Sequence, residues 1–115
     1  MIIVEPKEVI TCAMLAYGKK TGKGLLSLKK IEKYGKEVVK YLKQDGEDVK
    51  YFFSSNLVRL FFANYSNMFT FIQRRNLVYL NDDITFEKLE DSFTYHMNPK
   101  LLRTFFSSDM IEFLM

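Results

Sequence analysis

The chain has 115 residues, 48% of them hydrophobic, 27% charged and 16% aromatic, with 17 basic against 14 acidic side chains and one cysteine. That length and balance predict a single domain, residues 1–115, with a packed core, and exclude an intrinsically disordered chain or a scaffold held by internal disulfides. The longest charge-free stretch, 60–73, contains Asn64, Ser66 and Asn67 and falls short of the roughly 20 apolar residues a membrane-spanning helix needs.

The opening run Met1-Ile2-Ile3-Val4 is cut off by Glu5-Pro6, so no secretory leader is expected, and the lone Cys12 suits a reducing, cytoplasmic compartment. A first helix is predicted over 6–17. Pro6 fits its first position, where a missing N–H costs nothing, Gly18 fits its stop, and Val9, Ile10, Ala13, Met14 and Tyr17 recur at helical spacing. Residues 18–24, Gly-Lys-Lys-Thr-Gly-Lys-Gly, are then expected to form a flexible basic loop.

A second helix is predicted over 25–44, ending at Asp45-Gly46. Leu28, Ile31, Val38 and Leu42 make one apolar stripe, widened by Tyr34 and Tyr41, and Lys29, Lys33, Lys36, Lys40 and Lys43 make a cationic stripe roughly opposite. Gly35 falls on the apolar side at a cost of about 1 kcal/mol against Ala, which predicts a closely packed neighbour there.

Residues 49–53 read as a short strand. Ser54-Ser55-Asn56 offers cap chemistry for a third helix through Tyr65, and its near-continuous apolar run predicts a central, buried helix. Residues 68–73 and 77–80 read as a hairpin around Arg74-Arg75-Asn76, with Asn76 suited to a left-handed turn position. A fourth helix over 85–97 carries Phe86, Leu89, Phe93 and Met97 on one face. Asn98 should cap a fifth segment beginning at Pro99, and Asp109 and Glu112 have capping-box spacing for a last short helix. The predicted class is a helix-rich α+β domain, about five helices packed with a small antiparallel hairpin or sheet.

Catalytic chemistry has little to stand on. The glycine-lysine loop lacks the spacing and the Ser/Thr of a phosphate-binding P-loop, and a helix precedes it instead of a strand. Cys12 and His96 are the single thiol and the single imidazole, and Cys12 has the apolar neighbours of a buried core residue. The acidic segment 82–91 holds five carboxylates against Lys88 but no glycine hinge for calcium, and Cys and His are too few for zinc. No enzymatic activity, cofactor, metal or small-molecule substrate is therefore expected.

Charge layout is the informative feature. Between Tyr17 and Lys43 stand nine lysines against two glutamates. The leading expectation is a small interaction or regulatory protein, self-associating or binding another protein, with the basic helix and acidic segment free to pair within or between chains. The alternative is nucleic-acid binding through Lys29, Lys33, Lys36 and Lys40, with Lys19, Lys20 and Lys23 as a mobile arm and Arg74 and Arg75 at the hairpin tip. Helix then hairpin with a basic tip is the order of a winged helix, but the apolar helix before the hairpin argues against major-groove reading. The Lys-, Phe-, Tyr- and Asn-rich composition is compatible with an AT-rich microbial, phage or mobile-element genome.

Overall fold

The computed structural model describes residues 1–115. In chain order the elements are β1 (Ile2–Val4), α1 (Pro6–Thr21), β2 (Leu25–Ser27), α2 (Leu28–Gln44), β3 (Val49–Tyr51), α3 (Ser55–Asn64), β4 (Phe69–Ile72), β5 (Leu77–Leu80), α4 (Phe86–Phe93), α5 (Pro99–Phe105) and α6 (Ser108–Ile111). Short 3-10 turns lie at Gln73–Arg75, Thr94–His96 and Glu112–Leu114. The molecule is a helix-rich α+β domain, as its patterning predicts.

The centre of the core is α1, which touches each of the other five helices. Ten of its sixteen residues are buried, and several are small (Cys12, Ala13, Ala16, Gly18), so neighbours approach its backbone from all sides. Gly18 is not the stop that was expected. The helix runs through it, and the Phe86 ring occupies the space that a Cβ there would need. The stop is Gly22, in the left-handed conformation at φ 74°, with its N–H donating to the Gly18 carbonyl.

The second predicted helix loses its first three residues to β2, and α2 starts at Leu28 with Ser27 as cap, its hydroxyl accepting from the Lys30 N–H at 3.2 Å. Ile31, Tyr34, Gly35, Val38, Val39 and Leu42 form its buried face. Tyr41, expected on that face, is exposed. The close approach predicted at Gly35 is present: a Cβ there would sit 2.7 Å from Val9 Cγ1 and 2.8 Å from Tyr51 Oη. Tyr34 is fully buried, its hydroxyl donating to the Phe105 carbonyl, and burial pushes its phenol pKa up.

Two small sheets tie distant parts of the chain together. In one, β1 runs parallel to β3, Ile3 opposite Lys50. In the other, β5 lies between β2 and β4, antiparallel to both, with Ser27 opposite Leu77 and Phe69 opposite Leu80. The hairpin turn closes as expected on Asn76 at φ 55°. An aromatic cluster fastens α3 to this sheet and to α4. Phe61 lies 4.9 Å from Tyr65 and 5.5 Å from Phe69, Phe62 stacks on Phe71 at 4.9 Å, and Tyr65 meets Phe93 at 5.2 Å between centroids.

The last third departs from expectation mainly at its boundaries. The fourth helix ends at Phe93 and continues as a 3-10 turn. Asn98 caps α5 as predicted, its side-chain oxygen accepting from the N–H groups of Lys100 and Leu101 at 2.9 and 3.2 Å. The cap of α6 is Ser107, not Asp109. Leu114 is fully buried, and its 3-10 turn packs on α2. No helix is long and apolar enough to cross a membrane.

Candidate functional site

The site is assembled where the start of α2, one flank of α3 and the hairpin turn meet. Three local features bring them together. The Leu28 N–H at the first position of α2 donates to the Asn76 carbonyl at 2.9 Å, so the turn is fixed beside the lysine helix. The Ser54 hydroxyl caps α3 by accepting from the Leu57 N–H at 3.2 Å. The stacked pair Phe62 and Phe71 holds α3 against β4.

Between these elements lies a depression of about 260 Å³ lined by Leu28, Glu32, Phe53, Ser55, Val58, Arg59, Phe71, Gln73 and Asn76. It runs on, sharing Leu28, Glu32 and Asn76, into a second depression of about 410 Å³ bordered by Lys29, Lys33 and Lys36. Arg74 and Arg75, both exposed, sit on the turn between the lining residues Gln73 and Asn76. Lys29, Lys33, Lys36 and Arg59 thus line one continuous groove, and Arg74 and Arg75 stand exposed on the turn beside it. Glu32 is the single carboxylate lining it and is already held by Lys36 at 3.2 Å.

The other five (Lys29, Lys33, Arg59, Arg74, Arg75) have no carboxylate within 4.0 Å; Lys33 instead stands 5.8 Å above the Phe113 ring. Lys40 lies on the same stripe of α2 but beyond the groove, about 16 Å along the helix from Lys29 at 1.5 Å per residue. The stripe faces water. The acidic segment reaches the basic region through one contact only, Lys19 to Glu90 at 3.1 Å, and none of the α2 lysines takes part.

The remaining predicted cations are elsewhere. Lys19 and Lys20 belong to the last turn of α1 and are not part of a mobile arm. The Lys19 ammonium is anchored by Glu90 and lies 5.0 Å over the Phe106 ring. The Lys23 N–H donates to the Thr21 hydroxyl, which in turn donates to the Tyr17 carbonyl. Gly24, next to Lys23, accepts from the Leu80 N–H, at the end of the sheet away from the hairpin turn. Lys19, Lys20 and Lys23 therefore do not join Lys29, Lys33 and Lys36.

Helix α3 corrects another expectation. It buries only Val58, Phe61 and Phe62 and exposes the other seven of its ten residues, with Leu60 56% exposed. Counting apolar residues suggested a core helix, but the inward positions follow an i, i+3, i+4 pattern that leaves Ser55, Asn56 and Arg59 on an open flank. Arg59, the one charge in this helix, is the site residue that composition passed over.

Cys12 and His96 form no pair. Cys12 is fully buried, burial raises its thiol pKa, and its Sγ lies 3.7 Å from Met97 Sδ. His96 is exposed. The acidic residues gather no set of three or more ligands that could hold a metal ion. Compared with protein-family models, curated proteins and solved structures, the chain shows no significant match in any of the three.

Proposed function

We propose that this is a non-enzymatic nucleic-acid-binding protein that holds the backbone of duplex DNA against the face between α2, α3 and the hairpin turn. The observation that carries the proposal is that Lys29, Lys33, Lys36 and Arg59 line one groove whose lone carboxylate is taken by Lys36, with Arg74 and Arg75 exposed on the turn at its edge. Unpaired cations held along a groove are what a phosphate backbone demands, because each contact releases condensed counterions.

Topology supports it. Helix, strand, helix, helix, hairpin, with the strand order β2-β5-β4, is the order of a winged-helix module, and the open flank of its last helix before the hairpin lies beside the wing. The likeness is one of topology only: β3 stands between α2 and α3, where such modules have a short turn. Asn56 and Arg59, exposed on α3, are residue types that read adenine and guanine edges.

Fluorescence anisotropy with a labelled duplex of about 20 base pairs at about 50 mM salt tests the proposal. Lys29→Glu/Lys33→Glu should lower affinity about 30-fold or more, and Lys20→Glu/Lys23→Glu, with the same change in net charge, by no more than about threefold. Equal losses in the two variants, or no binding by the unaltered protein, refute the proposal.

A further inference from the structure

We infer that the face formed by β1, β3 and the second flank of α3 is covered by a second copy of this chain. Met1, Ile3 and Glu5 alternate outward along β1 while Ile2 and Val4 point into the core. Ile3 is paired with Lys50 in the parallel sheet, so Phe52, two residues on, stands on the same outer side as Ile3 and Glu5. Glu5 in turn shares a depression with Leu57 and Leu60 of α3. The exposed apolar side chains therefore flank Glu5 on two sides: Ile3 is 48% exposed and Phe52 45% on one, Leu57 37% and Leu60 56% on the other.

With Met1 their exposed surface is on the order of 400–500 Å², the apolar share of one side of a standard interface of about 800 Å² per partner. A patch of that size falls within the roughly 300–600 Å² of a typical monomer's largest apolar patch, which is often a functional surface.

Charge selects the occupant. The cationic groove and the acidic segment each repel their own copy. Around this patch two acids, Glu5 and Asp48, balance two bases, Lys7 and Lys50, all exposed. A balanced rim meets its own two-fold copy without net repulsion, as an isologous contact requires. An acidic or a basic partner has a better surface elsewhere on the molecule. The groove lies on the opposite flank of α3, at Ser55 and Arg59, so pairing through Leu57 and Leu60 leaves it open on both copies. The inference stands apart from the DNA-binding proposal.

Sedimentation velocity without nucleic acid, over a concentration series up to about 1 mM, tests it. The unaltered protein should sediment as a dimer at the top of the series. Leu60→Asp, a change at a solvent-exposed position, should raise the dimer dissociation constant about 30-fold or more, as loss of a central interface residue does. Tyr95→Asp, at a still more exposed position outside the face, and Lys29→Glu/Lys33→Glu should both stay dimeric. A monomer throughout the series, or a dimer untouched by both Leu60→Asp and Leu57→Asp, overturns the inference.

Discussion

Replacing Gly35 by alanine sets helix propensity against packing. In an open helix interior the change stabilises by about 1 kcal/mol. Here the new methyl would lie 2.7 Å from Val9 Cγ1, 3.3 Å from Val9 Cγ2 and 2.8 Å from Tyr51 Oη. Carbon pairs settle at about 3.5–4.0 Å, so the first contact is short by about 1 Å. The half-buried Tyr51 ring can swing outward, but Val9 is fully buried on α1 and can yield only if α1 and α2 separate.

Overpacking of this kind costs about 1–3 kcal/mol, and a wedge between two core helices belongs at the upper end, leaving a net loss of about 2 kcal/mol. At this chain length that is a fall in Tm of about 8 °C by circular dichroism or calorimetry. The same change in a Val9→Ala background, where both clashing methyls are gone, should be neutral or stabilising. A Tm raised by Gly35→Ala alone, or an equal loss in both backgrounds, refutes the packing explanation.

Two further changes probe the frame. Asn98→Ala removes both side-chain hydrogen bonds at the start of α5 and should cost about 1 kcal/mol, or about 4 °C in Tm. Glu8 is titratable and largely withdrawn from water, and desolvation raises its pKa despite the Glu5 N–H and Lys7 nearby. A raised folded-state pKa means that the favourable contribution of the neutral acid is complete below the ordinary carboxylate range and is lost as pH rises through the raised value. Glu8→Gln should therefore gain on the unaltered protein as pH rises above about 4 in denaturant melts, and the opposite trend means that Lys7 and the Glu5 N–H outweigh burial.

Much of the helical frame is legible from residue spacing because its signals are local. The two stripes of α2, the Ser54 and Asn98 caps and the Asn76 turn each depend on a few adjacent residues. Strands β1 and β2 are not legible in that way. Each is three residues long, and their partners lie roughly fifty residues away, so nothing near Ile2 or Leu25 announces the pairing. Gly18 carries the composition of a helix stop and is instead the point where Phe86 presses on α1, a contact made from far along the chain.

The site was half visible. Lys29, Lys33 and Lys36 stand out by helical spacing, and Arg74 and Arg75 by their place in a turn. That the turn carrying Arg74 and Arg75 stands beside the lysines depends on the Leu28 to Asn76 hydrogen bond, and Arg59 joins them because α3 turns it outward. The apolar count of α3 concealed its open flank, since Leu57 and Leu60 read as core and are in fact on the surface.

The most direct measurement is the salt dependence of duplex affinity. The four groove-lining cations with Arg74 and Arg75 of the adjacent turn give a slope of log K against log salt of about −5 when all of them meet phosphate, and Lys29→Glu/Lys33→Glu should flatten it by about two. A slope near zero, or one unchanged in that variant, contradicts the claim that this groove is the binding surface.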